Sequence, residues 1–186
     1  MKKKYFQKLY VYDDKSESYL IQVSLDDYDD VYNEWDPSPF KKRDIEKEFN
    51  DFIEESSEDI PLKYNITIAL FLQAIKKDSA KETAIISAYR NFYNYAVEKH
   101  RREIINLHKK NIYYLVASLL FLSIGYFFKG GQSVLTKVIH EGIFVGGWVF
   151  LWEFFTNIFI ALTELRTQYK LYRRLYQARV EFVYYE

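Results

Sequence analysis

One carboxylate, Glu153, interrupts the longest apolar run of the chain, Gly142–Leu162 (GIFVGGWVFLWEFFTNIFIAL). It stands eleven residues beyond Gly142, which at helical rise is ~16 Å, near the centre of a hydrocarbon layer of ~30 Å. An ionised carboxylate there costs ~2.5–3.5 kcal/mol, so it faces protein or a pathway and takes a partner. The spacing predicts a protonated Glu153 that donates to a hydroxyl or across a subunit boundary. The sharper reading is a proton or ion pathway. Polar companions in the same two runs are Ser118, Ser123 and Asn157, with Thr156 and Tyr126 beside them.

Trp148 and Trp152 lie one turn apart on the same stretch as Glu153. At that depth they read as packing residues, with a ligand pocket shared with Glu153 as the alternative. Gly142 and Gly146 form a GxxxG spacing with Gly147 adjacent, and small residues one turn apart let helix backbones approach in lipid. The partner is either the chain's own first apolar run, near Gly125 and Ser118, or another copy.

The three histidines, His100, His108 and His140, are scattered. His100 and Glu103 share a helix face, but no second pair completes a metal site. The acidic stretch Asp26–Asp30 offers hard oxygens, yet it lacks the spaced ligands and glycine of a calcium loop and reads as a solvated loop. No cysteine is present, which excludes disulfides, thiolate metal sites and a cysteine nucleophile. With no Ser/His/Asp set, phosphate-cradling glycine loop or HExxH motif, neither a catalytic residue nor a cofactor is expected.

These residues need elements to hold them. Ile112–Phe128 (IYYLVASLLFLSIGYFF) carries no charge, and Gly142–Leu162 carries only Glu153. Both are long enough to cross a bilayer as helices. Lys99, Arg101, Arg102, Lys109 and Lys110 precede the first, and Arg166, Lys170, Arg173, Arg174 and Arg179 follow the second. The connector holds just Lys129 and Lys137. Positive charge on one side of a span pair puts both termini in the cytoplasm. Arg101, Arg102, Lys109, Lys110, Arg173 and Arg174 are also placed to contact anionic headgroups. The opening MKKKYFQKLYVYDD has no apolar core, so no cleaved signal peptide is expected.

The 186 residues carry 26 basic and 26 acidic side chains, a net charge of zero that argues against a nucleic-acid partner. The balance is uneven: residues 1–98 hold 14 basic and 20 acidic side chains. Residues 99–186 hold 12 and 6, together with all 6 glycines. In the first half, residues 4–12 and 18–25 read as two strands around the turn Asp13–Ser16. Residues 43–59 read as a helix with Ile45, Phe49, Phe52 and Ile53 on one face. Residues 62–73 alternate strictly, with Leu62, Tyr64, Ile66, Ile68, Leu70 and Leu72 on one side. From Ser79 the apolar period becomes helical and meets no breaker before Phe128, about 75 Å of helix. Residues 165–179 read as helix, and Val180–Tyr185 alternates as a strand free to join the first half's sheet.

Asp36-Pro-Ser-Pro-Phe40 followed by Arg43-Asp44, with Glu141-Gly142, Gly147-Trp148-Val149, Trp152 and Tyr172-Arg-Arg-Leu175, resembles a family of bacterial two-span inner-membrane proteins. That family carries DPSPF-x-x-RD and EG-x4-GWV-x2-W signatures, and the likeness runs from Trp35 to the end. It implies a bacterial inner-membrane location and no activity. Glu153 and Thr156 stand where the family carries a basic and then an acidic residue.

The expected fold is an α+β membrane protein. A small cytoplasmic α/β sheet domain (residues 1–110) stands on a two-helix transmembrane hairpin (111–164, spans 112–128 and 142–162). A basic helix and a C-terminal strand (165–186) then return to the sheet. The expected role is a non-enzymatic docking, sensing or assembly component, with membrane lipids, a cytosolic protein and further copies of itself as partners. The alternative is an oligomeric pore that uses Glu153.

Overall fold

The computed structural model describes residues 5–33, 35–36, 44–127, 131 and 133–186. The Pro37–Phe40 part of the proline motif and Arg43 lie outside them. The chain forms two compact units, one of residues 1–98 with 169–186 and the other of residues 99–168. This division differs from the expected boundaries at 110 and 164. The reason is that charged helix on both flanks of the apolar runs groups with those runs rather than with the sheet.

The first unit is a four-stranded sheet in the order β1-β2-β3-β4: β1 (Val11–Asp13), β2 (Ser18–Ser24), β3 (Asn65–Gln73) and β4 (Arg179–Tyr185). β1 runs antiparallel to β2, while β2, β3 and β4 are mutually parallel. The C-terminal strand therefore joins the sheet, beside the strand whose alternation is clearest. α1 (Phe6–Leu9) and α2 (Lys47–Asp59) belong to this unit, as do residues 79–98 of α3 (Ser79–Phe127) and the last turns of α5 (Leu162–Gln177). Both crossovers, β2 to β3 and β3 to β4, step the same way across the sheet. The right-handed rule then sends their helices to one face. Ile21, Ile68, Leu70 and Leu72 meet Ile53, Ile85, Tyr89 and Leu175 in the core, while Leu20, Phe71, Glu181 and Val183 on the opposite side keep partial exposure.

Three expectations are corrected here. Residues 4–12 do not form a strand: Phe6–Leu9 makes one helical turn, because Phe6 buries its ring edge-on to Tyr19 at 5.3 Å. Only Val11–Asp13 pairs with β2. Ile45 precedes α2 and is buried by a bridge to Tyr32, while Phe52 lies exposed. The alternation over 62–73 starts late, with Leu62 exposed and β3 beginning at Asn65. Thr67 and Ala69 on its supposedly open side are buried between the parallel neighbours, as befits the inner strand of a parallel sheet.

The second unit is a pair of antiparallel helices, residues 99–127 of α3 and α4 (Val134–Thr156). α4 runs through a π-turn (Asn157–Ala161) into α5. α4 begins eight residues before Gly142, so the turn between the helices is shorter than the charge pattern implied.

Candidate functional site

Small residues fix how the helix pair meets. A side-chain carbon on Gly147 would lie 2.8 Å from the Leu122 side chain, and one on Gly146 or Gly125 would lie 3.0 Å from Phe121 or Phe144. Gly142 meets nothing within 4 Å. Three of the four glycines singled out by spacing therefore pack inside the pair, and the first glycine of the GxxxG spacing does not. Two polar contacts pin the same seam. The Ser118 hydroxyl donates to the Gly147 carbonyl at 2.9 Å, and His140 Nε2 lies 2.9 Å from the Gly125 carbonyl.

Ser118, Gly125 and Asn111 recur at seven-residue intervals and are all buried. That rhythm is what a helix under 3.5-residue packing needs to keep one face on its neighbour. Sequence reasoning missed Asn111, although the interval was there to be read. Asn111 is 4% exposed and Asn157 8%, and neither amide nitrogen, nor the Asn111 oxygen, has a hydrogen-bond partner in the structure. Asn157 opens the π-turn, a local widening often found at functional positions.

Glu153 lies elsewhere. It lines a groove of about 480 Å³ with Val145, Trp148, Val149, Leu151, Trp152 and Phe155, all on one helix. Trp148 is 64% exposed and Trp152 74%, so the groove is on the outside of the pair. The tryptophans, expected to be packing residues, instead line this shallow groove with Glu153. The four polar residues proposed as one pathway are not brought together within the chain. Ser118 and Asn157 are buried, Ser123 is exposed, and Glu153 is half-buried in the outer groove.

Among the basic residues, Arg101, Arg102, Lys109, Lys110 and Arg173 are exposed, with the Lys110 ammonium 5.3 Å from the Tyr114 ring centre. Arg174 departs from the headgroup role expected of it. Its guanidinium turns into the first unit, donating to the Ile60 carbonyl and the Ser57 hydroxyl, each at 2.8 Å, and to the Ser57 carbonyl. It therefore neutralises the carbonyl end of α2, where a cation meets the negative pole of the helix. Burial lowers its pKa to about 10.

The first unit holds two polar clusters that draw together residues far apart in the sequence, one of them around the acidic stretch Asp26–Asp30. At the carboxyl ends of the parallel strands, Tyr28 accepts from the Asp78 N–H at 3.0 Å and lies 2.7 Å from the Tyr184 hydroxyl. Tyr184 in turn donates to Glu82, which leaves Tyr28 as donor to Tyr184. Burial, and then the Glu82 carboxylate, raise the Tyr184 pKa. Asp27 beside them pairs with Lys76 at 3.2 Å and Lys81 at 3.7 Å. The Lys76 hydrogen bond, partly opposed by burial, holds the Asp27 pKa below its ordinary value. The acidic loop is thus a turn braced by lysines: Asp30 accepts the Asp26 and Asp27 amides at 2.8 and 2.9 Å.

At the opposite ends of the strands, a cleft of about 190 Å³ is lined by Ser16, Ser18, Asn65, Thr67, Arg174 and Arg179 among others. Its hydroxyls form a chain. Ser16 donates to Asp13 at 2.7 Å, and 2.7 Å contacts link Ser16 to Ser18 and Ser18 to Thr67. With the Ser16 proton committed to Asp13, the other protons must run the same way, from Thr67 outward. The Ser16 bond holds the Asp13 pKa down.

His100 Nδ1 meets Glu103 at 3.0 Å. No group of three His, Asp or Glu residues with metal-ligand geometry occurs among the described residues. No protein-family model, curated protein or solved structure matches this chain.

Proposed function

We propose that this chain is a non-catalytic integral protein of a bacterial inner membrane. Residues 99–168 would cross the bilayer as a helical hairpin, and the sheet unit would stay on the cytoplasmic side to dock or sense a soluble partner. The observation that carries this reading is apolar surface left uncovered. Only 22% of the most apolar window of Ser79–Phe127 is buried, and only 11% of that in Val134–Gln177. Helices of a water-soluble core would bury most of such a window. Lipid can cover apolar surface of this kind.

Alkaline carbonate washing of membranes from expressing cells tests this: the chain is expected in the pellet and released only by detergent. Release by carbonate alone would overturn it.

A second reading, an oligomeric ion-conducting assembly, is favoured by Glu153, an acid on the outward face of an apolar helix. Depolarisation of cells on overexpression, abolished by Glu153→Ala at equal membrane abundance, would select it. Unchanged potential at high expression would reject it.

A further inference from the structure

α4 has two faces with different occupants. At ~3.5 residues per turn of packed helix, His140 and Gly147 share the face that bonds the neighbouring helix. Opposite them run Gly142, Val145, Val149, Trp152 and Thr156, spaced alternately by three and four residues. In heptad terms these are a and d positions, and His140 and Gly147 are both at f, the far side of the helix. Gly142 faces open space, and Val145, Val149 and Trp152 are exposed. A second seam is therefore present and empty.

Its flanks are chemically matched. Trp148 falls at g and Glu153 at e of the following heptad, five residues on. In a parallel helix pair this is the combination that meets across the seam. Among the described residues neither the Trp148 indole nor the Glu153 carboxyl makes a hydrogen bond. One is a pure donor and the other carries acceptor oxygens. Acyl chains offer neither group a partner, so lipid is a poor cover for this face.

We propose that a second copy of the chain docks here in parallel, so that each Trp148 Nε1–H donates to Glu153 of the partner subunit, twice by symmetry. This rests on the membrane reading above and names the interface that reading leaves open. Two copies inserted with the same topology are parallel by construction, which the e/g pairing requires.

The cysteine-free chain suits a direct test. Val145→Cys, Val149→Cys and Thr156→Cys are introduced singly and oxidised in native membranes. All three are expected to give disulfide dimers, at least roughly tenfold more than Ile143→Cys, since bridging requires Cα atoms within ~7 Å. In detergent, Trp148→Phe and Glu153→Ala should each weaken the dimer by roughly tenfold, the sum of two intramembrane hydrogen bonds. Glu153→Gln, which keeps an acceptor, should hold it, and the double variant should lose no more than either single one. Equal or absent cross-linking at all four positions in carbonate-resistant membranes would overturn the docking while sparing the membrane reading. Independent, multiplying losses for Trp148→Phe and Glu153→Ala would overturn the pairing. Release of the chain by carbonate would overturn both.

Discussion

The sheet unit buries Tyr89 and Tyr93 and half-buries Tyr10, and each of these hydroxyls has a partner. Tyr89 donates to the Leu175 carbonyl at 3.0 Å, Tyr93 to Asn50 at 2.8 Å, and Tyr10 to Asp59 at 2.9 Å. In the helix pair the rings of Phe121, Phe144 and Phe150 fill the space that glycines and neighbouring rings leave, while Trp148, Trp152 and Phe159 face outward. The contrast is what the proposed membrane reading expects of two units in different solvents. A phenol in a water-facing domain offers apolar area and a hydroxyl to tie strands to helices. Inside lipid, area drives nothing, and close backbone approach takes over.

Ways to break that comparison differ in size. The largest loss is expected from Leu70→Ala, fully buried on the central strand. It should cost about 2–5 kcal/mol, read as a lower unfolding midpoint of the full chain in detergent, with the helix pair's cross-links unaffected. Gly147→Leu attacks the other unit, because its side chain must enter space held by Leu122 at 2.8 Å. About 1–3 kcal/mol is expected, whereas Gly142→Ala, with nothing within 4 Å, should stay within about 0.5 kcal/mol. Equal effects at the two glycines would contradict the assignment of inner and outer faces.

Ser118→Ala removes the hydroxyl bonded to the Gly147 carbonyl and should cost about 0.6–1.7 kcal/mol, the range of hydrogen bonds between membrane helices.

The smallest effect at neutral pH, and the one that sharpens the contrast, is alkaline. Burial, and then the nearby Glu54 carboxylate, push Tyr172 up to about 12, and burial also raises Tyr89, Tyr93 and Tyr184. An unfolded tyrosine titrates near ~10. Above that pH the folded unit holds protons the unfolded chain has lost, so stability is complete below about pH 10 and falls as pH rises through about 12. Phenolate absorbance should rise in separate steps, and a single step near pH 10 would refute the buried tyrosine network.

Much of this was legible in the residues themselves. The alternation of Ile66, Ile68, Leu70 and Leu72 marks β3, and two charge-poor runs mark the helix pair. The C-terminal alternation marks the strand that pairs with β3. What escaped has a common cause. Phe6 looks like a strand residue until Tyr19 and Tyr64 supply a pocket for its ring. Thr67 looks solvent-facing until β2 and β4 flank it on both edges. Arg174 sits in a basic run that reads as a headgroup contact, and only the arrival of α2 beside it gives its guanidinium carbonyls to cap. The same holds for Glu153. Its place within the apolar run is written in the sequence, but its direction is set by which face of α4 carries Gly147 against Leu122.

Thiol labelling of intact cells tests most directly whether the helix pair is a membrane hairpin with the sheet unit inside. In the cysteine-free chain, Ser133→Cys, at the start of α4, should react with an impermeant maleimide added outside. Ser79→Cys, at the start of α3, should react only after lysis. Labelling of Ser79→Cys from outside, or of both positions only after lysis, would contradict the account.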